Sequence, residues 1–240
     1  MIALLAIDTN YLGKKKRVNC TNIAVMANYA IIGASGLIGG YLLQEVLSNT
    51  ESSVTIIVRN QLAIAHPRLQ QLVVKSFDQS ILTSALNGFD AVFVAIGTTQ
   101  AKVSGDSLAY RKVDYAIPVA VANACASNQI PRLLVVSSVG ASSASSNFYL
   151  RLKGEVEDYI TALSIPYIGF FQPSLLLGNR QEFRLGEKIA QYLLPLLSPL
   201  LPQRYRPIHA RTVALSMLRN AQAQASGINR YSYKAMVAKS

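Results

Sequence analysis

Short apolar runs alternate along the chain with longer stretches in which apolar residues recur every three or four positions. Residues 29–32 (YAII), 54–58 (VTIIV), 71–74, 91–96 (AVFVAI), 133–136 (LLVV) and 167–171 (YIGFF) are brief and mostly β-branched or aromatic, which predicts six buried strands. Between them Ile38, Leu42, Leu43 and Val46 recur at helical spacing, and so do Val113, Ile117, Val121 and Ala124. Helices are therefore predicted after residue 36, over 110–127 and over 148–163, with a short one over 81–86. Strands and helices in this rhythm imply right-handed βαβ units, an α/β fold and a doubly wound parallel sheet covered on both faces. After Pro173 the pattern changes. A polar stretch (178–186), a helix over 187–197 closed by Pro195, Pro199 and Pro202, a helix over 210–223 and a strand-like tail (228–233) predict a small C-terminal lobe placed for substrate contacts.

Composition narrows this picture without redirecting it. The 240 residues are 51% hydrophobic and only 15% charged, ample for the core of one domain. No apolar run reaches the ~18 residues of a membrane span. The net charge of +11 favours an anionic partner, whether nucleic acid, a membrane surface or a phosphate-bearing cofactor. The cations are scattered, however, and their one block, KKKR at 14–17, carries no nucleic-acid motif, so no nucleic-acid partner is expected. The apolar residues 1–7 lack the flanks of a secretory signal. Met26, three residues before the first strand, has the position of a translation start. The expectation is that 1–25 is a disordered or artefactual extension and that 26–240 is one domain, of which 174–240 supplies the small lobe. Cys20 and Cys125 are too few for a disulfide framework and suggest reduced thiols in the cytoplasm.

The first strand runs into Gly33, Gly36 and Gly39 at equal spacing, and a helix follows. Glycine permits a tight turn and lets a phosphate reach the backbone, while free amides at a helix N-terminus favour an anion. The stretch 33–39, with Ser35, Leu37 and Ile38, thus suits the pyrophosphate of a dinucleotide. The alternative is a turn that binds nothing. Open α/β sheets bind ligands at the carboxyl ends of their strands, so the residues there matter most. Strand two ends at Arg59, where an NAD-binding protein usually carries an acid for the ribose hydroxyls. An arginine suits a 2′-phosphate and favours NADP over NAD. It could equally be a solvated loop residue. Asp78, after strand three, is a candidate acceptor for the adenine amino group or a helix cap. Strand four ends in Ile96, Gly97 and Thr98, small enough as a stretch for a cofactor to lie against the backbone.

Strand five ends in Ser137 and Ser138. Eleven residues past Ser138 stands Tyr149, and four further on Lys153. Positions i and i+4 share a helix face. A lysine cation beside a tyrosine favours the phenolate, and such a tyrosine can exchange a proton with a substrate oxygen while a hydride moves. The spacing alone is not decisive, since Tyr11 and Lys15 repeat it. Position is what distinguishes Tyr149, which opens the helix after the fifth strand's serines.

GASGLIG (33–39), VDYAIPVAVANA (113–124), SSVGASSASSNFYLRLKGEVE (137–157) and FQPSLLLGNRQEFRLGE (171–187) together resemble the short-chain dehydrogenase/reductase superfamily. The resemblance is to its atypical group around the Tat-interactive protein family, with epimerase/dehydratase-like relatives, and covers most of the chain. It implies a Rossmann-type fold, a nicotinamide dinucleotide of the NADPH type, and a catalytic set of Ser138, Tyr149 and Lys153, with Ser137 as an alternate serine. Lys153 would also bond the nicotinamide ribose. Gln172, Pro173 and Ser174, after strand six, would touch the nicotinamide. Where many members carry Asn on the central helix this chain has Asp114, so a proton relay through that Asn is not expected. Only about 70 residues follow Pro173, which argues against a large sugar-nucleotide substrate. Many superfamily members pair through two long helices, and a homodimer is an expectation on that ground alone.

His66 and His209 each stand without a ligand-spaced partner, so no metal site is expected. Cys125 reads as a small core residue, and Tyr110, Tyr115 and Tyr159 as packing residues. The sequence thus points to an NAD(P)-dependent oxidoreductase acting on a small molecule, with Tyr149 as general acid/base. The alternative is an NADPH-binding regulatory or redox-sensing protein with little turnover.

Overall fold

In the computed structural model, residues 26–97, 106–178 and 202–238 are described. Seven strands form its main sheet: β1 (Asn28–Ile32), β2 (Ser53–Val58), β3 (Leu69–Val73), β4 (Ala91–Val94), β5 (Arg132–Val136), β6 (Tyr167–Phe171) and β9 (Gly227–Tyr231). Their order is β3-β2-β1-β4-β5-β6-β9, and every pairing is parallel. The chain leaves β1 in one direction, through β2 to β3, and then returns to β4 on β1's other side. That reversal is a switch point at the carboxyl ends of β1 and β4, the place where such sheets bind ligands. The fold is a Rossmann-type α/β fold.

Alternate residues of each strand face opposite sides. Tyr29, Ile31, Phe93, Leu134 and Phe171 pack with α1 (Leu37–Asn49) and α6 (Ala210–Gln222) on one face. Ala30, Ile32, Val92, Val94, Val135 and Phe170 pack on the other face. The helices there are α2 (Gln79–Ala85), α4 (Ile117–Ser127) and α5 (Phe148–Thr161). Strands buried on both faces explain why the sequence reads as continuous apolar runs rather than alternation.

α4 is continuous with α3 (Ser107–Arg111) through a π-type turn, Lys112–Ala116. The periodicity reads this whole stretch as one helix and does not reveal the widened turn. A second, two-stranded parallel sheet joins β7 (Leu176–Leu177) to β8 (Ile208–His209), and a short helix, α7 (Tyr233–Val237), ends the described chain. Of the region after Pro173, α6 and β9 belong to the main body. The tail expected over 228–233 is the seventh strand, because Ile228 and Tyr231 sit in register with Ile168 and Phe171. The helix expected over 187–197 and the segment 1–25 lie outside the described residues. No described helix is long and apolar enough to cross a membrane.

Candidate active site

Between β1 and α1 the backbone turns at Gly33, whose φ is +98°. A Cβ there would lie 2.6 Å from the carbonyl of Ala95, at the end of β4. At Gly39 a Cβ would lie 2.1 Å from the carbonyl oxygen of Gly33, so the helix can sit on the turn only without a side chain. Gly36 is the N-cap residue of α1, no side chain caps that helix, and its first turn holds no acid. Ser35 and Gly36 are exposed and Leu37 is half-buried, while Ile38 is in the core. A closely approachable backbone and uncapped helix amides fit a dinucleotide pyrophosphate.

Parallel register carries the other expected residues to the same edge of the sheet. Ile32 pairs with Ile57, so Arg59 stands just past the level of Gly33 beside the glycine turn. Its side chain is exposed and bonds no described residue. Asp78 is the N-cap residue of α2, but its side chain does not cap the helix; it accepts a 2.5 Å hydrogen bond from Ser76. Ile96 and Gly97 follow β4, and a Cβ on Gly97 would come 3.5 Å from Oδ1 of Asp114. Thr98 lies outside the described residues.

Asn147 caps α5, accepting from the amide of Leu150, and so fixes where that helix starts. Tyr149 and Lys153 therefore share one face. The Lys153 Nζ lies 5.9 Å from the centre of the Tyr149 ring. The ring of Tyr110, from α3, meets Tyr149 edge-on at 6.3 Å. The Tyr149 hydroxyl bonds no described residue, and the side chain is half-buried. Next to Lys153, Gly154 admits the loop after β5: a Cβ there would fall 2.1 Å from the backbone carbon of Ser142. The amide of Ser142 donates to the Leu150 carbonyl, so this loop is held on the first turns of α5.

Lys153 itself is buried, and its Nζ forms a 2.9 Å ion pair with Asp114. Asp114 sits within the π-type turn, a feature often found at functional sites. Burial pulls the Lys153 ammonium down, but the Asp114 carboxylate, with Tyr149 and Glu157, more than offsets this and raises it above the ordinary lysine value. The two serines part company. Ser137 is buried and donates to Glu157 at 2.5 Å, whereas Ser138 is half-buried with only a long 3.4 Å contact to the Val139 carbonyl. Of the two, only Ser138 keeps a hydroxyl without a strong partner among the described residues.

Gln172 donates to Glu157 at 2.8 Å, and Pro173 is buried with its carbonyl accepting from Val139. Ser174 donates to the carbonyl of Arg206, which ties it to the segment before β8. Sequence reasoning passed over Glu157 and Arg230, whose Nε donates to Glu157 at 2.8 Å, because neither the helical pattern around the one nor the strand pattern around the other shows which charges will meet. His66 accepts from the Arg68 amide in a turn, His209 is an exposed N-cap residue, and no metal-binding cluster occurs among the described residues. Cys125 is fully buried, and burial pushes its thiol up to about 12.

The family model described as NAD(P)H-binding matches residues 33–189. Protein HTATIP2 of Rattus norvegicus is 34% identical over 204 residues, 82% of each chain. The protein FMP52, mitochondrial, of Candida albicans is 33% identical over 167 residues, 67% of this chain and 72% of its own. Among solved structures, MoeE5 in complex with UDP-glucuronic acid and NAD superposes with a TM-score of 0.66 at 16% identity, covering 85% of this chain and 75% of that one. Vestitone reductase from alfalfa gives 0.63 at 13% identity, covering 85% and 76%. These two share the fold. The chain therefore belongs to the NAD(P)H-binding family, alongside HTATIP2.

Proposed function

We propose that the protein is an NADP-dependent oxidoreductase that reduces a small carbonyl compound or oxidises the matching alcohol. The observation that carries this reading is the Tyr149 hydroxyl, unbonded among the described residues, one helical turn from a buried and charged Lys153. The turn at 33–39 would hold the pyrophosphate, Arg59 the 2′-phosphate, Asp78 the adenine amino group, and Ile96 to Thr98 the body of the cofactor. Gln172, Pro173 and Ser174 would face the nicotinamide. When bound, the nicotinamide supplies or accepts the hydride.

The remaining work falls to side chains of this chain. Ser138 holds the substrate oxygen by donating a hydrogen bond. In reduction, Tyr149 gives its phenolic proton to that oxygen as the carbon gains hydride; in oxidation it takes the proton back. Lys153 stabilises the phenolate so formed and bonds the nicotinamide ribose. Asp114 keeps the ammonium charged in its buried setting.

The test is oxidation of NADPH with a panel of aldehydes and ketones, comparing wild type with Tyr149→Phe. Turnover that the variant loses supports the enzyme. A second reading is a regulatory protein that senses NADPH, and the Asp114 ion pair favours it, because the lysine is already engaged. NADPH binding with no turnover on any substrate, unaltered in Tyr149→Phe, selects that reading. On location, the two cysteines speak for the cytoplasm and the fungal relatives' names for mitochondria; fractionation of the native protein separates them.

A further inference from the structure

We infer that Glu157 is a positioning residue for the nicotinamide end of the site, and that the last strand, β9, takes part in that site through Arg230. This rests on the dinucleotide reading above and adds residues to it.

Glu157 lies one turn beyond Lys153 on α5 and is 3% exposed. Its Oε1 accepts from Ser137 Oγ at 2.5 Å and from Gln172 Nε2 at 2.8 Å. Its Oε2 accepts from Arg230 Nε at 2.8 Å. The donors come from the carboxyl-terminal ends of β5, β6 and β9, so one carboxylate joins three strand ends to the catalytic helix. Only an ionised carboxylate offers acceptor sites enough for all of them without bringing a donor of its own. Burying that charge is costly, and Arg230 supplies the counter-charge. Arg230 is in turn set by its place in the sheet. It pairs in register with Phe170, and its guanidinium carbon lies 5.3 Å from the centre of that ring.

Two consequences follow for the site. Holding the Ser137 hydroxyl inward leaves Ser138 as the serine free to meet a substrate. Holding the Gln172 amide by one N–H fixes the orientation of the group, so that Oε1 and the second N–H are left to meet a ligand. A carbonyl oxygen so held suits a carboxamide N–H donor, which is the polar group of a nicotinamide ring. Without Glu157 the Gln172 amide is free to rotate and present either end.

The experiment is calorimetric titration of NADPH and, separately, of 2′,5′-ADP, which carries the adenosine half alone. Both are titrated into wild type, Glu157→Gln, Arg230→Ala and Arg230→Lys, with circular dichroism melting as the check on folding. Glu157→Gln and Arg230→Ala are expected to weaken NADPH by about tenfold, in keeping with losing a hydrogen bond held by a charged group. Binding of 2′,5′-ADP is expected to stay within about twofold of wild type. Arg230→Lys restores most of the NADPH affinity, because a cation again faces Glu157. Equal weakening of both ligands marks a purely structural role and overturns the inference, as does unchanged NADPH binding. Arg230 is half-exposed on an edge strand, so its two variants remain informative even if Glu157→Gln does not fold. A wild type that binds neither ligand overturns the dinucleotide reading itself, and this inference with it; a wild type that binds both, with variants that match it, overturns this inference alone.

Discussion

Lys153 Nζ and Asp114 Oδ1 lie 2.9 Å apart, with their side chains 6% and 1% exposed. Removing one partner from a pair this deeply buried strands the other charge, which typically costs about 3–5 kcal/mol. Asp114→Ala should therefore lower the unfolding free energy by about that much, and Asp114→Asn, which keeps an acceptor, by less. Equal, small effects in urea melts would show that the pair contributes little.

The same pair sets a pH dependence. The Lys153 ammonium is raised above its ordinary 10.5 in the folded protein. Its contribution to stability is then fully present below 10.5 and is lost as the pH climbs through the higher folded value. Comparing wild type with Lys153→Met across neutral to alkaline pH should show the difference between them narrowing only in the alkaline range.

The Tyr149 hydroxyl bonds no described residue, so Tyr149→Phe should leave the melting temperature and NADPH affinity near those of wild type. Turnover should fall by about 10²–10⁴-fold, the usual share of a general acid/base. A variant that both melts earlier and binds NADPH less well would instead mark the ring as structural.

Arg59→Ala should weaken NADPH by about tenfold or more and NADH hardly at all, because only the former carries a 2′-phosphate for the guanidinium. Equal loss for both would remove Arg59 from the choice of cofactor.

A Cβ at Gly39 would overlap the Gly33 carbonyl, and one at Gly154 would overlap the backbone at Ser142. In both places the obstacle is backbone, which cannot swing aside. Gly39→Ala and Gly154→Ala should each destabilise the protein by about 1–3 kcal/mol or more, measured by chemical denaturation. Gly88→Ala, with no atom within 4 Å of the new Cβ, has only its positive φ to bear.

By itself the sequence determined the order of strands and helices, the parallel sheet and the glycine turn. These follow from local period and turn chemistry, and the six predicted strands fall within a residue or two of the observed ones. It also marked Tyr149 and Lys153 as neighbours, since i and i+4 meet on any helix. Tertiary structure decided what no local pattern encodes. The tail becomes the seventh strand only because β6 offers it an open edge. A widened turn within one continuous helix places Asp114 against Lys153, two residues 39 positions apart whose attraction becomes strong only once water is excluded. A distant partner likewise sets the two serines apart, because Glu157 takes the Ser137 hydroxyl and not that of Ser138.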